Sequence, residues 1–229
     1  MIANLHAVSK RRFRAVATGS GQAAWRIARK IQAATGRDRQ DRPLDETHPL
    51  WPLSHYGADK ASIEKFVHSF GLPHDVDPDA APTHRHLSQR EAWAICSLRP
   101  VGIYGIRRPL AKSKWHAIVR DVLQRKPIDD PSGGKEVHAE DVARGVDLLL
   151  QAEPQTIAGK SYNCCDLYLS AQAVAHITKI VGGSPSTFAE TNRGPKNKIE
   201  TGKLRALGMR FGGRPQLEQY VEQLTAAIK

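Results

Sequence analysis

An α/β fold with a parallel sheet is predicted for this 229-residue chain by three observations. Short apolar segments of strand character alternate with longer segments whose apolar residues recur at helical spacing. One of the former, Ala94-Ile95-Cys96-Ser97-Leu98, is a continuous apolar run of the kind buried on both faces of a parallel sheet. Polar, Pro- and Gly-punctuated stretches separate these segments, so strand and helix follow one another along the chain rather than clustering by type.

Residues 4–10 read as the end of a helix and lead into a strand at Phe13-Arg14-Ala15-Val16-Ala17, which stops at Thr18-Gly19-Ser20-Gly21. Ala24, Ile27, Ala28 and Ile31 give 23–34 a helical stripe on a basic background. Residues 36–54 are a loop carrying Pro43, Pro49 and Pro52. The next helix holds Tyr56, with Ile63, Phe66, Val67 and Phe70 as its expected buried stripe and Gly71 and Pro73 as its stop. Residues 73–90 form a loop insertion, followed by the 94–98 strand, a helix at Trp115–Gln124, and a helix that begins near Ala139 and runs through Leu150. A strand at Tyr162-Asn163-Cys164 and helices at 171–181 and 215–228 complete the chain, with no internal repeat.

The composition, 40% hydrophobic and 25% charged, is that of an ordinary soluble protein. No apolar run approaches the roughly 20 residues of a membrane span. Three cysteines, two of them adjacent (Cys164, Cys165), offer neither a disulfide framework nor metal-ligand spacing, which suits a reducing compartment, the cytoplasm. His84 and His86 have no cysteine partners, so no metal is expected. The net charge of +11 is concentrated: residues 1–43 contribute +8 of it and the rest of the chain +3. That basic start loosely resembles a transit peptide, but no zinc-finger, RNA-binding or basic-zipper signature accompanies it, so nucleic acid is not the expected partner.

The chemistry is carried by Tyr56 and Lys60, in Pro-Leu-Ser-His-Tyr-Gly-Ala-Asp-Lys-Ala-Ser-Ile-Glu (residues 52–64). Four residues apart on a helix, they stand on one face, one turn from each other. A Lys ammonium beside a phenol favours the phenolate, a general base for a substrate hydroxyl.

Further landmarks follow in order: Pro43-Leu44-Asp45-Glu46-Thr47-His48-Pro49, Tyr56-Gly57-Ala58-Asp59-Lys60 with Glu64, Leu98-Arg99-Pro100-Val101-Gly102-Ile103-Tyr104-Gly105, Gly133-Gly134-Lys135-Glu136-Val137-His138-Ala139-Glu140-Asp141-Val142-Ala143, and Lys203-Leu204-Arg205-Ala206-Leu207-Gly208. From about residue 43 to the C-terminus the chain resembles the extended short-chain dehydrogenase/reductase family, in its NAD-dependent epimerase/dehydratase branch. The resemblance implies NAD or NADP as coenzyme and a nucleotide-sugar-like small molecule as substrate. It assigns Tyr56 as acid/base and Lys60 to the nicotinamide ribose. It gives Ser20, with Thr18 in reserve, the hydrogen bond to the reacting oxygen, and it lines the nicotinamide with Pro100 and Val101. Gly102 stands where members often carry a side chain that touches substrate.

Members of the family open with a strand, a Gly-x-x-Gly-x-x-Gly turn and a helix whose N-terminus receives the coenzyme pyrophosphate. Here Gly19-Ser20-Gly21 is the one early glycine cluster, and it lies too close to Tyr56 for two βαβ halves and where the family places its catalytic Ser/Thr. The resemblance therefore predicts a partial Rossmann-like parallel sheet lacking the first strands, with a smaller C-terminal substrate lobe. Residues 1–110 are the remnant of the dinucleotide-binding domain, and 111–229 are the substrate lobe mixed with final Rossmann elements. The expectation is an N-terminally truncated member that binds a dinucleotide weakly by itself, with an exposed sheet edge open to self-association. A non-catalytic remnant or regulatory pseudoenzyme acting as an interaction module stands as the alternative.

Overall fold

The structure, a computed structural model, describes the backbone of residues 13–17 and residues 43–50, 52, 54–69, 94–128, 130, 132–186 and 198–229. Expectations for 4–10, 18–42 and 73–90, including Thr18 and Ser20, lie outside the described residues.

Two three-stranded sheets organise these residues. In the first, β1 (Phe13–Ala17), β2 (Ala94–Pro100) and β5 (Ser161–Cys164) lie in the order β1-β2-β5, all parallel. Phe13 is in register with Ala94, and Ser97 with Ser161. Every residue of β2 is buried, as its unbroken apolar run predicts for a central parallel strand. α1 (His55–Ser69) connects β1 to β2 and packs on β2.

The second sheet has the order β3-β4-β6, from β3 (Gly102–Tyr104), β4 (Gly133–His138) and β6 (Leu167–Ser170). β3 and β4 are parallel, while β6 returns antiparallel to β4. A 3₁₀ turn at Leu110–Lys112 and α2 (His116–Leu123) lie between β3 and β4. α3 (Ala139–Gln151) and the one-turn α4 (Pro154–Ile157) link β4 to β5. α5 (Ala171–Gly182), α6 (Gly202–Ala206) and α7 (Gly213–Ile228) follow β6.

Two hydrophobic clusters fill the fold, the first of them drawing Val137 from β4 of the second sheet. Leu98, Val137, Leu149, Tyr162 and Leu204 belong to the cluster around the first sheet. Tyr104, Val119, Val174, Tyr220 and Leu224 belong to the cluster where α2, α5 and α7 pack beside the second. Burying each such side chain contributes roughly 1.5–3 kcal/mol. Local chemistry sets the helix ends. His138 caps α3 by accepting from Glu140 N (3.3 Å), and Ser170 caps α5 by accepting from Ala173 N (3.1 Å). Gly183, at φ 65°, closes α5 in the left-handed conformation.

The predicted strands at 13–17, 94–98 and 162–164 and the helices at 115–124, 139–150, 171–181 and 215–228 are all present, with ends shifted by a residue or two. The predicted stripe of the Tyr56 helix needs correction. Its buried residues are Gly57, Ala61, Glu64 and Val67, whereas Ile63 is 40% and Phe66 65% exposed. Phe70 lies outside the described residues. Val67 is buried as expected, but Ile63 and Phe66 are not, because the rest of the row against the sheet is built from small residues and one paired acid.

Candidate active site

Ser54 starts α1: its carbonyl accepts from Ala58 N (2.9 Å) and its hydroxyl from Gly57 N (3.2 Å). Tyr56 is therefore in the first turn. At the other end, His68 Nδ1 lies 3.3 Å from Gly159 O, and Gly159 N donates to Ile95 O (2.8 Å) at the entry to β2. The helix thus runs back along the strands. Tyr56 precedes His68 by a rise of about 18 Å, close to the length of the seven-residue β2 at about 3.3 Å per residue. Tyr56 lies two turns before Glu64, which pairs with Arg99 near the exit of β2.

Parallel α/β sheets bind ligands at this carboxyl edge. Tyr56 is 49% exposed. Lys60 is half-buried, with Nζ 5.5 Å from the centroid of the Tyr56 ring. The predicted pair is therefore brought together. The same helical row continues into Glu64, whose Oε1 accepts from Arg99 Nε (2.7 Å), from the Arg99 terminal nitrogen and from Ser161 Oγ. Ser97 Oγ donates to Ser161 Oγ (2.9 Å), which ties the network into both β2 and β5. Arg99 and Ser161 escaped the sequence reading as site-forming residues, although Glu64 and Arg99 both lie within its quoted segments.

Beyond the exit of β2 opens a cleft of about 550 Å³, lined among others by Val101, Gly102, Tyr104, Arg107, Lys112 and Lys114. Val101 lines this cleft, and Pro100 is the last residue of β2. Gly105 lets the wall close up: at φ 158° it would hold a Cβ only 3.1 Å from the Ala139 Cβ. Arg107 and Lys112 are exposed and have no ion-pair partner among the described residues, whereas Lys114 donates to Glu136 Oε2. Burial pushes the Glu136 carboxyl up, and the Lys114 ammonium opposes that shift.

Trp115 packs against Tyr104 (5.2 Å between centroids) and Tyr220 (6.1 Å), consistent with a core role. Cys164 is fully buried, and burial pushes its thiol and that of Cys165 up to about 12, the opposite of an activated thiolate. Asp141, also fully buried, accepts from Arg144 (2.5 Å) and from Gly212 N (3.1 Å), fastening the start of α3 to the segment before α7. No helix among the described residues is long and apolar enough to cross a membrane.

These features define an α/β fold with a Tyr–Lys pair on a helix packed against its parallel sheet. The chain belongs to the NAD dependent epimerase/dehydratase family, whose sequence model matches residues 23–165. No curated protein matches the chain. Among solved structures it is similar to the UDP-glucuronic acid 4-epimerase of Bacillus cereus in complex with NAD, at 21% identity and TM-score 0.57, covering 84% of this chain and 56% of that one. It is also similar to the UDP-glucose 4-epimerase of Thermotoga maritima with UDP-glucose, at 15% identity and TM-score 0.58, covering 95% of this chain and 78% of that one. The UDP-N-acetylglucosamine 4-epimerase of Bacillus cereus matches at 15% identity and TM-score 0.58, with coverages of 95% and 64%. The chain thus has the epimerase fold and spans between a half and two thirds of the length of the Bacillus cereus enzymes.

The nicotinamide coenzyme of this family can be tested against the residues present. A half-exposed phenol, a lysine one turn away and the backbone at Val101 on the cleft wall suit a nicotinamide and its ribose. The described residues include no Gly-rich strand–turn–helix for the pyrophosphate.

Proposed function

We propose that this chain performs NAD- or NADP-dependent redox chemistry at a hydroxyl of a nucleotide sugar. The observation that carries this reading is the Tyr56–Lys60 pair on α1, the helix whose Glu64 pairs with Arg99 near the exit of β2. Lys60 would hold the nicotinamide ribose, and Pro100 and Val101 would line the ring. When bound, the nicotinamide supplies a hydride acceptor and donor. Tyr56 moves the proton: its phenolate oxygen takes it from the substrate hydroxyl and returns it when the carbonyl is reduced. Lys60 favours the phenolate by its charge. Ser20 would hold the reacting oxygen.

The substrate class is supported by the cleft. Arg107 and Lys112 line it with positive charge that has no ion-pair partner among the described residues, as a diphosphate requires. Structures of the same fold include epimerases holding UDP-glucuronic acid and UDP-glucose.

A second reading is supported by one sequence observation. No Gly-x-x-Gly-x-x-Gly turn occurs in these 229 residues. On that reading the polypeptide alone is an interaction module, associating with itself through a sheet edge. The two separate in one experiment: titrate the purified chain with NAD and NADP by nicotinamide fluorescence, then assay interconversion of UDP-glucose. The enzyme reading expects coenzyme binding and a turnover that Tyr56→Phe lowers by about 10²–10⁴-fold without altering the melting temperature. Turnover indifferent to Tyr56→Phe overturns the assignment of Tyr56, and a folded chain that binds neither coenzyme supports the module.

A further inference from the structure

Three independent restraints place Lys114 in the wall of the cleft. Its carbonyl accepts from Tyr220 Oη (2.6 Å), a hydroxyl anchored in the second core. The next residue, Trp115, holds φ at 62°, a left-handed conformation costly for so bulky a side chain. Its own Nζ donates to Glu136 Oε2 and lies 5.4 Å from the Trp115 ring centroid. The Lys114 side chain keeps 31% of its surface exposed, while Glu136 keeps 5%.

Gly102 makes the room. It sits on β3 in register with Glu136 on β4. A Cβ there would come within 2.8 Å of Lys114 Nζ and closer still to the Glu136 carboxylate. The pair therefore fills the space a side chain at 102 would occupy.

The charge layout of the cleft follows from this. Arg107 and Lys112 carry positive charge with no ion-pair partner among the described residues, whereas the cation at Lys114 is already claimed. Lys114 lines the cleft with its charge paired to the nearly buried Glu136 carboxylate. A ligand with anionic groups at one end and uncharged hydroxyls at the other matches that layout. A carboxylate placed near Lys114 would find its cation already paired with Glu136, with no other cation offsetting that acid among the described residues.

We propose that the Lys114–Glu136 pair, housed by Gly102, is a specificity element that selects sugar nucleotides with an uncharged sugar over those with a carboxylated one. This rests on the nucleotide-sugar reading above and adds to it which sugars the cleft refuses.

The test is calorimetric titration of the whole chain with UDP, UDP-glucose and UDP-glucuronic acid. Wild type is expected to bind UDP-glucose about tenfold or more tightly than UDP-glucuronic acid. Glu136→Gln frees the Lys114 ammonium and should collapse or reverse that ratio, leaving UDP-glucose within about threefold and UDP unchanged. Gly102→Ala, which forces the two flexible side chains apart, should lower the same ratio and serves if Glu136→Gln does not fold. A purely structural pair would leave the ratio unmoved in both variants. Equal affinities in wild type, preference for the uronate, or a ratio unchanged in both variants overturns the proposal while leaving nucleotide-sugar binding in place. A folded wild type that binds none of the three overturns the nucleotide-sugar reading, and the specificity with it.

Discussion

Asp45 accepts from Thr47 N (2.9 Å), Thr47 Oγ1 (2.6 Å) and His48 Nδ1 (3.3 Å). These donors, the Thr47 hydroxyl first, outweigh a small desolvation penalty and lower its pKa from 3.8 to about 2. A carboxyl whose folded pKa is depressed contributes stability that is present above the unfolded value and lost as the pH falls toward the folded one. Urea midpoints measured across pH 2–5 should therefore fall for wild type between about pH 4 and pH 2 and flatten there for Asp45→Asn; parallel curves would show that the carboxylate has no such linkage. At this scale the sequence reveals pairs that lie close along the chain. Tyr56 and Lys60 were legible because one helical turn separates them. Lys114 and Glu136 were not, because 22 residues and the helix α2 intervene and only the folded chain brings them together. Asn163 escaped for the same reason: its Nδ2 donates to Glu200 O (2.9 Å) and its N–H to Glu46 Oε1 (2.8 Å), partners 37 and 117 residues away.

Among the elements, α1 decides whether the Tyr–Lys pair sits where chemistry could use it, and what fixes α1 is polar. Glu64 and Arg99 are almost wholly buried, at 9% and 5% side-chain exposure, and satisfy each other together with Ser161. Removing one partner leaves a buried charge uncompensated, at a cost of about 3–5 kcal/mol, whereas replacing both with apolar residues is often close to neutral. Arg99→Leu alone should therefore lose about that much stability in urea unfolding, and Glu64→Leu/Arg99→Leu should regain most of it. Additive single effects would show that the two side chains are not coupled. This clamp also explains why the helix was legible and its buried face was not. Spacing and the Ser54 start announce a helix, but a hydrophobic stripe was sought in a helix whose sheet-facing row is Gly57, Ala61, Glu64 and Val67. Small residues permit close approach to β2, and the acid in their midst is acceptable only because Arg99 meets it across 35 residues of sequence. β4 and β6 were not separately predicted, since six- and four-residue strands carrying Gly, Lys, Glu, Tyr and Ser show no apolar run.

Across the whole molecule, burial protects a set of weak acids whose combined titration limits the fold at high pH. Desolvation is the first cause in each case. It raises Cys96 from 9.0 to about 11, Cys164 and Cys165 from 9.0 to about 12, Tyr162 from 10.0 to about 12, and Tyr104 and Tyr220 further still. These groups lie in both cores and around β5, so no single element carries the effect. Unfolded, the thiols lose protons around pH 9 and the phenols around pH 10, while the folded state keeps them. The stability they contribute is complete below pH 9 and falls as the pH rises toward the folded values, each group by roughly 1 kcal/mol per pH unit. Six groups acting together cost on the order of 10 kcal/mol by pH 11, which matches the whole stability of a typical domain. A cooperative alkaline transition is therefore expected between about pH 10 and 11, with tyrosinate absorbance and loss of circular dichroism coinciding. Tyr104 offers a clean perturbation, because its buried hydroxyl has no hydrogen-bond partner among the described residues. Tyr104→Phe keeps the ring contacts with Trp115 and Tyr220 and removes both an unsatisfied polar atom and one of the titrating groups. It should be neutral or stabilising at pH 7 and shift the alkaline midpoint upward. A loss above about 1 kcal/mol at pH 7 would show that the hydroxyl has a partner after all.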